Sequence, residues 1–274
     1  MSASSVSQPI QLPGGLLRDN ERRLEGAELR HLSGREEEWL AANRKIPSAV
    51  AVTHLLANCL ERLGDDRPTA DLVRQLLVGD REYLMLQLRR LTLGERFQAI
   101  FHCPRCNAAM DVDFETADIP VERRPQASAV YTMELDAPPG TVRFRLPCGA
   151  DQEAVLGLAA AEAEKLMLDR CLFGGGESLT AAQREAVIAE MERLAPRVDL
   201  ELDLVCPECG HDFVAPFDTT SFFLSEMTAR SGDLLREVHS LAFYYHWSES
   251  DILSLRRDRR RAYLALLSDA LRQD

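Results

Sequence analysis

From Ile46 onward the apolar positions fall at helical spacing. Val52, Leu55, Leu56, Cys59, Leu60 and Leu63 recur at i, i+3 and i+4, the stripe of a helix lying on a core. Gly64 predicts its stop. A second helix is predicted from Pro68 to about Gly79, and Asp80 is placed to cap a third, on which Leu84, Leu88 and Leu91 share a face until Gly94. The period then changes to two. Phe97, Ala99 and Phe101 alternate before Cys103, and Met110, Val112 and Phe114 alternate after Cys106. The same layout returns later: Val198, Leu200, Leu202 and Leu204 lead to Cys206, and Phe213, Ala215 and Phe217 follow Cys209. A strand–Cys-Pro-x-Cys–strand unit therefore occurs twice in one chain.

Between the copies, residues 117–196 read as an insert. Its pattern predicts a hairpin over 130–135 and 141–146, then helices near 150–160, 162–172 and 180–194, with Gly174, Gly175 and Gly176 as a linker. Residues 1–33 have few apolar anchors and no clear period, which predicts a flexible arm. After Phe217 the chain reads as helical. Leu234, Val238, Leu241 and Tyr245 form one stripe, Ser248 and Asp251 a capping box, and Tyr263, Leu264, Leu267 and Leu271 a last amphipathic helix. The expected fold class is α+β, in five segments: the arm 1–33, helices and a first hairpin over 34–116, the insert 117–196, a second hairpin over 197–217, and helices over 218–274.

The chain has 44 acidic and 32 basic residues, a net charge of −12, which argues against a general phosphate-binding surface. No signal-peptide pattern and no long apolar run is visible, which predicts a cytoplasmic protein without a membrane span. Seven cysteines without an export signal then point to thiol or metal chemistry rather than disulfides.

Cys103, Cys106, Cys206 and Cys209 carry the strongest chemical signal. Two short Cys-x-x-Cys knuckles supply the four soft ligands of a closed, structural Zn2+ site, one ion per chain, if their hairpins pack together. A thioredoxin-like pair would sit at a helix start, whereas both pairs lie between strands. Gly210 suits the tight turn after its pair, and Asn107 tolerates it. His102 and His211 are expected at the rim. Cys59 and Cys171 read as core residues, while Cys148 sits at a strand-to-helix turn with no identifiable His partner. No phosphate loop with a Lys, nucleophile elbow, zincin or dinucleotide motif is present, so the expectation is a protein that is not an enzyme.

Two C-terminal features invite a partner: the aromatic run from Phe243 to Trp247, and the basic stretch from Arg256 to Arg261. The first reads either as a core plug or as a docking surface, the second as a solvated helix face or as a site for an acidic protein. The partner-binding expectation is placed on Trp247, Arg257, Arg259 and Arg260.

Several stretches together resemble a known family. They run from Gly79 to Gly94 and into Cys103-Pro-Arg-Cys106, from Phe144 to Asp151, and from Val238 to Glu249, with Ile252, Leu253 and the segment from Arg261 to Leu264. The chain resembles the zinc-ribbon baseplate or baseplate-hub assembly proteins of contractile-tailed phages and phage-tail-like contractile injection systems. The resemblance implies metal ligands at Cys103, Cys106, Cys206 and Cys209, no catalytic residues, other baseplate or hub proteins as partners, and a place in a virion or injection particle. Cys148 departs from it, standing where the pattern has Thr. The rival readings are a zinc-ribbon regulatory protein that binds nucleic acid, and an enzyme with a site in the insert.

Overall fold

A computed structural model describes residues 8–17, 23–124, 128–136, 138, 140–174, 176 and 179–273. In chain order its elements are β1 (Gln8–Leu17), β2 (Arg23–Leu29), α1 (Gly34–Ala42), α2 (Ser48–Cys59), β3 (Leu60–Leu63), α3 (Ala70–Gln75), α4 (Val78–Leu93), β4 (Arg96–His102) and β5 (Ala109–Glu115). The insert adds β6 (Val121–Glu122), β7 (Tyr131–Glu134), β8 (Thr141–Phe144), α5 (Gly149–Ala154), α6 (Ala160–Cys171) and α7 (Ala181–Leu194). The chain then forms β9 (Arg197–Val198), β10 (Leu200–Val205), β11 (Asp212–Phe217), α8 (Thr219–Tyr245), α9 (Glu249–Ser254) and α10 (Arg257–Gln273). The mixture is α+β, as expected.

The first correction concerns the arm. Strands β1 and β2 pair antiparallel, and β3 pairs with β2 to complete a three-stranded sheet. Ile10, Leu12, Leu16, Leu24, Ala27 and Leu29 bury one side of it against Leu55, Leu56, Leu84 and Leu88. The alternation is hidden because the register shifts between Gln11 and Leu16, where Gly15 takes a positive φ of 78°. The same sheet ends α2 earlier than the periodicity predicts. Leu60 and Leu63 leave the helical stripe because β2 offers an open edge, and both remain buried as strand residues. Gly175 of the predicted linker lies outside the described residues.

Asp80 caps no helix start; α4 begins at Val78, and the Asp80 carboxylate accepts the Gly14 amide at 2.7 Å inside the protein. Burial pushes this carboxyl up to about 6. Glu82, two residues on, is raised to about 7, first by burial and then by the charges of Asp199 and Asp218. A carboxyl raised from 4.5 binds its proton more tightly folded than unfolded, so its contribution to stability is lost as pH rises towards 7. Glu82→Gln is expected to be more stable than the parent by about 1–2 kcal/mol at pH 8 and equal to it near pH 4. Urea melts at the two pH values check this; identical pH profiles for both proteins would contradict it.

The insert begins and ends at one place, where Val121 pairs with Val198 and Glu122 with Arg197. It closes an apolar cluster of its own from Val142, Phe144, Leu146, Leu168, Val187 and Met191, to which β4, β5, β10 and β11 contribute nothing. Its footing is on α2, α3 and α4. Glu153 accepts from the Thr53 hydroxyl and from Arg74 Nε, and the Gly149 amide donates to Leu76 O at 3.0 Å. Gly149 is required here, because a Cβ would stand 2.1 Å from the buried Arg81 guanidinium.

Helix α8 ties these parts together over 27 residues, about 40 Å. Near its start Phe222 packs with the hairpins, then Phe223 and Met227 enter the main core, and Leu234, Val238 and Leu241 meet Ile252 and Leu253 of α9.

Candidate metal centre

Each Cys-Pro-x-Cys turn joins the two strands of a hairpin. In the first, Phe97 faces Phe114 and Phe101 faces Met110; in the second, Leu200 faces Phe217 and Leu204 faces Phe213. Their inner faces meet through aromatic rings. Phe97 stacks on Phe114 at 4.9 Å between centroids, and Phe217 meets both rings edge-on. Arg89 Cζ lies 3.7 Å over the Phe97 ring while its guanidinium pairs with Glu226, so α4, α8 and the first hairpin share one buried cation.

The turns are built alike. The Asn107 amide donates to Cys103 O at 2.8 Å, and the Gly210 amide to Cys206 O at 2.9 Å. The Cys103 amide donates to Ala108 O and the Cys206 amide to His211 O, both at 3.0 Å. Asn107 and Gly210, one residue after each pair, have φ of 59° and 66°. Only this left-handed residue lets the chain reverse with both thiols on the same side, which Gly meets without strain and Asn at small cost.

This geometry brings the four expected sulfurs, Cys103, Cys106, Cys206 and Cys209, within 4.8 Å of one another. Cys103 Sγ is 3.7 Å from Cys209 Sγ, and Cys106 Sγ is 3.5 Å from Cys206 Sγ. A metal bound tetrahedrally at about 2.3 Å from each sulfur separates them by roughly 3.8 Å, so the group could hold such an ion. Cys103 and Cys206 are buried against Met110, whereas Cys106 is exposed. Burial works to raise the Cys103 thiol, but the Cys106 and Arg105 amides and the neighbouring sulfurs outweigh it and bring it down to about 7. At Cys106 the Ala108 amide is outweighed by the sulfurs of Cys209, Cys206 and Cys103, and the thiol is pushed up to about 12. Four thiolates this close repel one another unless a cation lies between them. Neither His102 nor His211 belongs to the group; His211 stacks on Phe213 at 6.1 Å instead.

The other candidates fall elsewhere. Cys148 is the residue before α5, where its amide and thiol both donate to Asp151 Oδ2, at 2.9 and 3.2 Å. A Ser or Thr hydroxyl would suit that capping position better than a thiol. Burial and the Asp151 charge raise the Cys148 thiol, the opposite of activation. Asp151 is itself buried and held by Arg145 and Arg170, a pairing sequence reasoning missed.

The basic face is the second correction. Arg257 and Arg260 are buried, not offered to a partner. Arg260 Nε donates to Glu237 and its Nη2 to Glu37, both at 2.8 Å, and Arg257 Nη1 donates to Glu37 at 3.1 Å. At Arg260 the two carboxylates outweigh burial and raise the guanidinium above its ordinary value; at Arg257 burial prevails and lowers it. Arg259 stays exposed and donates to the Tyr263 hydroxyl. Trp247 is half-buried, stacked on Tyr245 and edge-on to Tyr263. The fixed spacing of α10 explains the error: residues three apart share a face, and that face meets α1 and α8.

The class this fold and centre define is an α+β protein in which two packed hairpins bring four cysteines together, with no helix among the described residues long and apolar enough to cross a membrane. A family model described as T4 bacteriophage base plate protein matches residues 24–172, over half of the 274 residues, and the chain belongs to that family. The match takes in Cys103, Cys106 and the Cys148 turn and stops before Cys206. No curated protein and no solved structure matches the chain.

Proposed function

We propose that this chain is a non-enzymatic structural or assembly component of the baseplate of a contractile tail-like particle, folded around one structural zinc. Membership of the base plate family carries the reading. Four thiolates suit zinc's tetrahedral preference and leave no open position for a substrate or activated water. The partners are other baseplate or hub proteins rather than nucleic acid: the exposed strand positions Asp111, Asp113, Asp203 and Asp212 make the outer faces of both hairpins acidic. Deleting the gene is expected to yield tails without complete baseplates in electron micrographs, with restoration on complementation. Normal numbers of complete particles from the deletion strain would overturn the reading.

A further inference from the structure

A cleft of about 340 Å³ lies where the insert meets the first turns of α4 and the chain entering β9. Leu77, Leu146, Pro147, Met167, Ile188 and Met191 give it apolar walls. Its rim is acidic, with Glu82, Glu164, Glu192 and Asp199 against Arg197 as the one cation among its lining residues. Arg197 is already engaged, 3.1 Å from Glu122 and 3.4 Å from Asp199. Glu82, Glu164 and Glu192 make no ion pair among the described residues. Glu82 also borders a second cleft, with Asp199, Glu201 and Asp218 around it. Burial, and after it the charges of Asp199 and Asp218, raise its carboxyl.

We propose that this cleft is the docking groove for a segment of a neighbouring baseplate subunit that carries an Arg or Lys between aliphatic residues. The identity of the partner as a baseplate subunit rests on the function proposed above; the chemistry of the segment rests on the cleft. A long basic side chain can lay its methylene stem on the Met167 and Ile188 wall and deliver its charge to the acidic rim. Aliphatic neighbours fill the remaining apolar space, and the rim charges select against acidic sequences. A second copy of the chain is the poorer occupant, because each copy brings the same net charge of −12.

Selection of displayed dodecamer peptides on the full-length, metal-loaded chain is expected to enrich sequences with Arg or Lys between aliphatic residues. A synthetic peptide of that kind should bind at least about tenfold more weakly to Met167→Glu and to the double variant Glu164→Arg/Glu192→Arg. None of these three side chains is fully buried, so metal content and melting temperature should match the parent in both variants. No enrichment, enrichment of peptides lacking a basic residue, or binding indifferent to both variants would overturn the inference. So would a dimer of the chain that Met167→Glu dissolves, since it would put a second copy in the groove. These outcomes stand apart from the gene deletion, which tests the baseplate role alone.

Discussion

Cys206→Ser protein is expected to emerge without bound metal, with both hairpins open to protease, and Cys103→Ser should behave the same way. Apparent binding energies of structural zinc sites, about 10–16 kcal/mol, are as large as the whole stability of a typical domain. The metal would close a long loop, since Cys106 and Cys206 are 100 residues apart, so much of that energy becomes folding energy. The loss should be regional. The core of β1–β3 and α1–α4 contains none of the four sulfurs, so far-ultraviolet circular dichroism should keep much of its helical signal while the hairpins are cut. Elemental analysis finding no zinc in the parent, or a Cys206→Ser protein that melts like the parent, would refute the structural zinc.

Arg260→Ala should lower stability by about 3 kcal/mol, because it removes the cation that Glu37 and Glu237 share, leaving Glu37 to Arg257 alone and Glu237 only the exposed Arg261 at 3.9 Å. For a chain of this size that corresponds to a fall of roughly 10 °C in melting temperature. Arg260→Lys should recover little. The guanidinium reaches Glu237, Glu37 and the Leu255 carbonyl from three nitrogens at once, a fan that a single ammonium cannot reproduce. Arg259→Ala, on the exposed side of the same helix, should change stability by less than about 1 kcal/mol. Thermal melts of the three variants decide the matter, and an Arg260→Ala protein within about 1 kcal/mol of the parent would show that the buried pairs do not hold α1, α8 and α10 together.

The contrast between Arg259 and Arg260 shows where sequence reading stops. Both belong to one run of like residues, and which of them a helix turns inward depends on what lies across from it. Here that is Glu37, more than two hundred positions away. The two hairpins and their cysteines were legible because period-two alternation and a repeated motif are local signals that survive folding. The sheet of β1, β2 and β3 was not legible. Its third strand reaches β2 across α1 and α2, its first strand is broken by a bulge, and Leu60 and Leu63 belong equally well to a helical stripe. The cleft beside Glu82 was invisible for a similar reason, since its walls come from α4, α6 and α7.

The separation of the two knuckles also has a consequence during synthesis. Ribosomes add about 5–20 residues per second, so Cys103 and Cys106 wait on the order of ten seconds before Cys206 and Cys209 emerge. For that interval the nascent chain presents a dithiol with half a coordination shell, able to take an oxidant or hold a metal only weakly. Capture of a metal by all four sulfurs would therefore have to wait until the whole insert had been made. If the cluster is filled by zinc, as proposed above, a chain made without it would leave two hairpins unjoined and open to proteases.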